Sequence, residues 1–245
     1  MSSMDGPSSI TTTTRSELSL LYRVLRTVIR PLRPRLVKPG KPLPAGSPKL
    51  DPPRSIPGIT EHQSHGLYEY TFAAPTTTVK RAHHSLFYFA GGGFQSPPSS
   101  EHWKTCKELA SRLAESGYGI TIVSYPLAPN SPAPKSLPML RDWLRERCAV
   151  AASHGESITL AGDSAGGNVV LNLGLWWAEE MSRSEMSNPV KQILAISPAT
   201  DLRNDNPQIA EADKRDPVLS VGLTTDVGKC KIAVPLEMLS DGCLR

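Results

Sequence analysis

Ser164 sits in Gly162-Asp163-Ser164-Ala165-Gly166, a G-x-S-x-G pattern with Gly167 added. A serine hydroxyl attacks acyl carbons when a tight turn exposes it, backbone amides stand ready for the developing oxyanion, and a base takes its proton. The pattern meets the first two needs. A sharp strand-to-helix turn strains the serine backbone and brings neighbouring backbone so close that only small flanking residues fit. The same turn places Ser164 at a helix start, where free N–H groups favour negative charge. Upstream, Gly91-Gly92-Gly93 follows the apolar run "SLFYFA" directly. Consecutive glycines after a strand let bare amides point into a cavity, as an oxyanion hole requires. The bland alternatives are a glycine-rich strand–helix turn with an incidental serine, and a flexible loop.

The elements that must position these groups are legible from patterning. Strands are expected at Leu67–Ala73, Ser85–Ala90, Gly119–Tyr125, "SITLAG" and "KQILAIS". Helices are expected at "SEHWKTCKELASRLAESG", capped by Ser100 and stopped by Gly117, at 135–152, and at Ala165–Met181. Nearly all-apolar strands alternating with helices imply an α/β fold, a mostly parallel sheet with helices on both faces. Residues 1–14 are Ser/Thr-rich and expected to be disordered. "SELSLLYRVLRTVIR" repeats Leu18, Leu21, Val24, Leu25, Val28 and Ile29 at helical spacing, with Ser16 as a cap and Pro31 as a stop. Three readings of this basic helix stand open: its apolar face lies on the domain, it lies on a membrane surface, or it is an organellar targeting segment. Nine prolines between Pro31 and Gly58 make the next stretch an extended linker or wrapping arm. The folded domain is expected over 59–219, and 220–245 as an irregular tail.

Composition narrows the function classes. Residues 1–58 carry 10 Lys/Arg against 3 Asp/Glu, whereas the remainder carries 17 against 20, so the globular part is mildly acidic and a nucleic-acid partner has little support. Cys106, Cys148, Cys230 and Cys243 form no C-x-x-C pair and none sits at ligand spacing from a histidine. Reduced thiols, no metal and no cofactor are expected. No run is long enough to span a bilayer, and the N-terminus lacks the pattern of a secretory signal. The expected setting is intracellular, cytoplasmic or peripheral to a membrane. The expected partner is a small acyl-ester or lipid-like substrate.

"SYPLAPNSPAPKSLPMLRDWL", Ser124–Leu144, makes a specific resemblance visible. The order strand–GGGF, then YPLAP before a helix, then GDSAGG, with "ISPATDL" and "DPVLS" further on, resembles the hormone-sensitive-lipase-like branch of the α/β-hydrolases over about Tyr68 to Leu219. That resemblance implies an esterase or lipase acting on carboxylic esters, with a helical cap. It implies Ser164 as nucleophile and the N–H groups of Gly92, Gly93 and Ala165 as the oxyanion hole. The family usually has a histidine before its three glycines; here that place is Ala90.

In such a fold the acid and then the histidine of the triad follow the serine, each on a loop after a later strand. All six histidines of this chain precede Ser164. The legible strands also end two short of the usual eight, and the two losses agree, since the missing strands would deliver acid and base. His83, His84 and His154 precede their strands, which puts them about 20 Å from the catalytic edge. His102, at a helix start after the glycine loop, is the one candidate stand-in base, although a surface role there is the simpler account. Asp216 in "DPVLS" resembles the entry to the family's cap and is not nominated as the acid. The expectation is a family member whose chain stops early and hydrolyses esters poorly. The alternative is a non-catalytic ligand-binding or interaction protein reusing the pocket. Losing edge strands would also leave apolar sheet uncovered and reduce solubility.

Overall fold

A computed structural model describes residues 11–14, 19–29, 31, 41–73, 83–184, 187–200, 205–216 and 218–231 of the 245-residue chain. Six strands, β1 (Ile59–Ser64), β2 (Leu67–Phe72), β3 (His84–Phe89), β4 (Tyr118–Ser124), β5 (Ser157–Asp163) and β6 (Val190–Ile196), form one sheet in the order β1-β2-β4-β3-β5-β6. From β4 to β6 every pairing is parallel, while the β1–β2 and β2–β4 pairings are antiparallel. The helices are α1 (Leu20–Ile29), α2 (Ser100–Leu113), α3 (Ala133–His154), α4 (Ser164–Ser182), α5 (Ile209–Arg215) and α6 (Val221–Lys231).

The central strands β3, β4 and β5 are apolar because the sheet is covered on both faces there. Side chains alternate across a strand, and β3 shows the result. Phe87 and Phe89 enter one core with Trp143 and Leu144 of α3 and Val170 and Leu173 of α4. Leu86 and Tyr88 enter the other with Trp103 and Cys106 of α2. Burial pushes the thiol of Cys106, helped by the charge of Asp163, and that of Cys148 up to about 12, so both cysteines stay protonated and inert.

Several expectations change. β1 was not foreseen, because "ITEHQS" is polar with no alternation to read. It joins β2 through His65 and Gly66, whose φ values of 48° and 75° suit a two-residue hairpin loop. The cap of α2 is Ser99, one residue before Ser100. The Pro-rich stretch is a wrapping arm over its described part. Leu50 and Ile56 are buried, and the Leu50 N–H donates to Tyr70 Oη at 2.7 Å. The apolar face of α1 is not laid on the domain: Leu20, Leu21, Val24 and Val28 are 54–78% exposed. Ser16, named as its cap, lies outside the described residues.

The irregular tail expected from 220 is also corrected over 221–231, which form α6. Ser220 starts it: its Oγ accepts from Leu223 N at 3.2 Å and its carbonyl from Thr224 N at 3.0 Å. Weak apolar periodicity hid this helix, since its start is set by capping rather than by a buried stripe. Residues 232–245 lie outside the description.

Among the described residues β6 closes the sheet, and nothing pairs its outer side. Ile193, Leu194 and Ile196 are 40–50% exposed there. No described helix is long and apolar enough to cross a membrane.

Candidate functional site

β5 ends at Asp163 and α4 begins at Ser164, whose φ of 48° is the left-handed conformation that costs a side-chain-bearing residue about 1–3 kcal/mol. Close backbone packing holds that strain. A Cβ on Gly166 would lie 1.9 Å from the Phe89 carbonyl oxygen, and one on Gly162 would lie 2.6 Å from Gly166 backbone. The Ser164 carbonyl accepts from Ala199 N at 3.1 Å, and Asn168 Nδ2 donates to the Ala199 carbonyl at 2.8 Å. The turn is therefore wedged between the end of β3 and the segment after β6.

The end of β3 leads straight into Gly91-Gly92-Gly93, so the same wedge brings the triplet beside the serine turn. Gly91 N donates to Asp163 Oδ1 at 2.9 Å, and a Cβ on Gly91 would collide with that carboxylate at 2.3 Å. Gly92 and Gly93 have φ of 147° and 59°, and the Gly92 carbonyl accepts from Gln95 and Ser96 N at 3.1 and 3.0 Å. Their own amides, and that of Ala165 in the first turn of α4, meet no acceptor among the described residues.

Sequence reading missed the groups that brace this arrangement. Asp163 also accepts from Tyr88 Oη at 2.8 Å and lies 3.2–3.3 Å from His102 Nε2. Burial disfavours its charge, but the bonds from His102, Gly91 and Tyr88 outweigh that and hold the carboxyl below its ordinary range. Burial and the adjacent carboxylate push the Tyr88 phenol up, so it stays a donor. Tyr125, buried after β4, donates to the Ala90 carbonyl at 2.8 Å. Ala90 cannot brace the loop with a side chain; Tyr125 holds its backbone instead. The signal available in advance was the acid inside GDSAGG, a charge placed where a strand should be buried.

His102 is neither a stand-in base nor a free surface residue. Its Nδ1 receives the Ser99 N–H at 2.9 Å, so Nε2 carries the ring proton and donates a hydrogen bond to Asp163. Both nitrogens are committed, and its side chain is 19% exposed. No described side chain hydrogen-bonds the Ser164 hydroxyl. His84 bonds Ser157 at the opposite sheet edge, His65 lies 3.5 Å from Glu146, and His154 closes α3 against the Val150 carbonyl. Asp216 receives the Val218 and Leu219 amides at 2.7 Å each, a turn into α6. That helix returns to the site: a Cβ on Gly93 would be 3.8 Å from Val227 Cγ2.

The family model described as alpha/beta hydrolase fold matches residues 86–231. Hormone-sensitive lipase of Homo sapiens is 38% identical over 98 residues, 39% of this chain and 9% of that protein. Hormone-sensitive lipase of Ictidomys tridecemlineatus is 33% identical over 155 residues, 62% of this chain and 19% of that protein. The chain thus spans less than a fifth of the length of these curated relatives. The solved hormone-sensitive-lipase homologue EstE7 from a metagenome library superposes with a TM-score of 0.55 at 21% identity, covering 86% of this chain and 63% of that one. A hormone-sensitive lipase from a metagenome library gives 0.54 at 22% identity, covering 84% and 61%. At that identity these two structures speak for the fold.

Proposed function

Since this chain belongs to the α/β-hydrolase family, in its esterase- and lipase-type, hormone-sensitive-lipase-like branch, we propose that its site is built for acyl transfer from carboxylic esters, with Ser164 as nucleophile. The Gly92, Gly93 and Ala165 amides are the oxyanion hole of that reading. The observation that carries it is the left-handed Ser164 at the strand–helix junction, with the glycine triplet bonded beside it through Asp163. Three amides without described acceptors beside a serine held in a strained backbone conformation have no packing purpose, whereas a tetrahedral oxyanion would satisfy them.

The same reading holds the 245-residue polypeptide to be impaired. No histidine follows Ser164, and His102 spends both nitrogens on Ser99 and Asp163. Loss of the base costs a serine hydrolase on the order of 10⁶ in kcat, leaving roughly 10³–10⁴ over water. That observation also favours a second reading, a pocket that binds acyl ligands without turning them over. The partners proposed with either reading are a small acyl-ester or lipid-like molecule and, through residues 16–30, a membrane surface.

Hydrolysis of p-nitrophenyl butyrate, run beside fluorophosphonate labelling, tests this. The expected result is turnover about 10⁶ below a complete triad enzyme, with slow labelling that disappears in Ser164→Ala. Brisk turnover lost in Ser164→Ala would refute the impairment. Binding of a butyrate or longer fatty acid that persists in Ser164→Ala, with no labelling of the natural chain, would select the ligand-binding reading.

A further inference from the structure

α1 presents Leu20, Leu21, Val24 and Val28 to solvent at 78, 77, 54 and 61% exposure. They recur at helical spacing and span about 100° of the helix circumference as one apolar face, with the exposed Arg23 and Thr27 along its Leu20 flank. Exposing four contiguous aliphatic side chains is costly, and the folded domain does not cover them. Ten residues at about 1.5 Å each make a helix of about 15 Å, roughly half the hydrocarbon thickness of a bilayer, so α1 cannot cross one.

The charge around α1 selects what does cover it. Residues 1–58 carry a net +7 and the remainder −3. Arg23 and Arg26 belong to the helix, and in sequence Arg15 precedes it while Arg30, Arg33, Arg35, Lys38 and Lys41 follow it. An aliphatic face flanked by fixed cations matches the boundary of a lipid layer with anionic headgroups. There the apolar side chains sink among acyl chains while the cations meet phosphates and carboxylates. A nucleic acid would use the cations but leave the aliphatic face wet.

The arm behind α1 is anchored at one particular edge of the sheet. Asn130 Nδ2 donates to the Leu43 carbonyl at 2.7 Å, Gly46 N to Ser131 Oγ at 2.9 Å, and Ser47 Oγ to the Ser124 carbonyl at 2.5 Å. Ser124 is the carboxyl-terminal residue of β4, and the registers Tyr88↔Ile122 and Phe89↔Gly162 put it on the same sheet edge as Asp163 and Ser164. We infer that α1 lies in the plane of an anionic lipid surface and that its arm holds the Ser164 edge of the domain toward that surface. The orientation has a use only if the site takes acyl esters or lipid-like ligands, so in that respect it rests on the function proposed above; the lipid contact itself does not.

Flotation of the 245-residue chain with phosphatidylcholine vesicles, with and without phosphatidylserine, is the test. The chain should float with the phosphatidylserine vesicles alone and come off as salt rises. Arg23→Gln should weaken binding about fivefold, and Leu21→Glu with Val24→Glu should abolish it while leaving the circular dichroism of the domain unchanged. Ser164→Ala should float like the natural chain, which separates failure of the lipid contact from failure of the nucleophile. Hydrogen exchange on the vesicles should protect α1 and the loops at 93–98 and 126–131, not the opposite edge at 153–158. Absence of flotation, flotation indifferent to the double glutamate variant, or a stable dimer that this variant dissolves would overturn the lipid contact. Equal protection at both edges would overturn the orientation.

Discussion

Replacing Asp163 dissects the brace behind the serine turn. Its Oδ1 takes two hydrogen bonds, from Tyr88 Oη and Gly91 N, while His102 Nε2 bonds Oδ2 at 3.3 Å and lies 3.2 Å from Oδ1. Asp163→Asn can keep Oδ1 as the acceptor for the first two. Its amide group then replaces Oδ2 and meets the Nε2–H of His102, donor against donor. His102 cannot change tautomer to escape, because its Nδ1 receives the Ser99 amide. One charge-assisted bond is lost, about 1–2 kcal/mol. Asp163→Ala loses all three and strands two donors, the buried Gly91 amide and the phenol of Tyr88, which is only 5% exposed. At about 1–3 kcal/mol for each stranded donor, the loss rises to about 3–5 kcal/mol. Equilibrium urea unfolding measures both. Tyr88→Phe added to Asp163→Ala should recover part of the loss, because it removes a donor left without a partner. The natural chain also carries a pH signature. The folded carboxyl is held below the roughly 3.9 of an unfolded aspartate, so its contribution is complete above that value and disappears as pH falls through the lower folded one. Asp163→Asn should lack that part of the acid limb. Equal losses for the two variants, or an alanine variant as stable as the natural chain, would refute the brace.

Two further outcomes follow from the same packing. Gly166→Ala puts a Cβ 1.9 Å from the Phe89 carbonyl and must prise the serine turn from β3, costing about 3 kcal/mol or more. Gly155→Ala, with φ of 65° and open space around it, should cost only about 1 kcal/mol, and thermal melts of the pair compare them directly. Leu194→Lys with Ile196→Lys on the outer strand should reduce light scattering on heating without lowering the unfolding midpoint, because both side chains are already half in water; unchanged scattering would show that aggregation starts elsewhere.

Short-range rules made much of this legible. The apolar strands, the helices at Ser100–Leu113, Ala133–His154 and Ser164–Ser182, and the glycine-flanked serine all announce themselves within a few residues. β1 and α6 did not. The first is a polar strand held by a hairpin and by its neighbour's ladder, and the second a helix set by Ser220 and its contact with the glycine loop. The bracing residues were hidden for a different reason. Tyr88, Gly91, His102 and Asp163 are spread over 76 positions, and only the sheet register brings β3, the start of α2 and the end of β5 together.

By itself the sequence determined an α/β sheet, a serine on a strand–helix turn, and a stretch from that serine to Arg245 without a histidine. Those are properties of local sterics, of hydrophobic period and of plain order along the chain. Only the tertiary structure decided that His102 bonds Asp163 rather than Ser164, that Tyr125 supports the loop where Ala90 cannot, and that the domain leaves the apolar face of α1 uncovered. Each of these depends on which groups meet across long separations, and a hydrogen bond or a buried contact depends on position in space, which residue spacing does not encode.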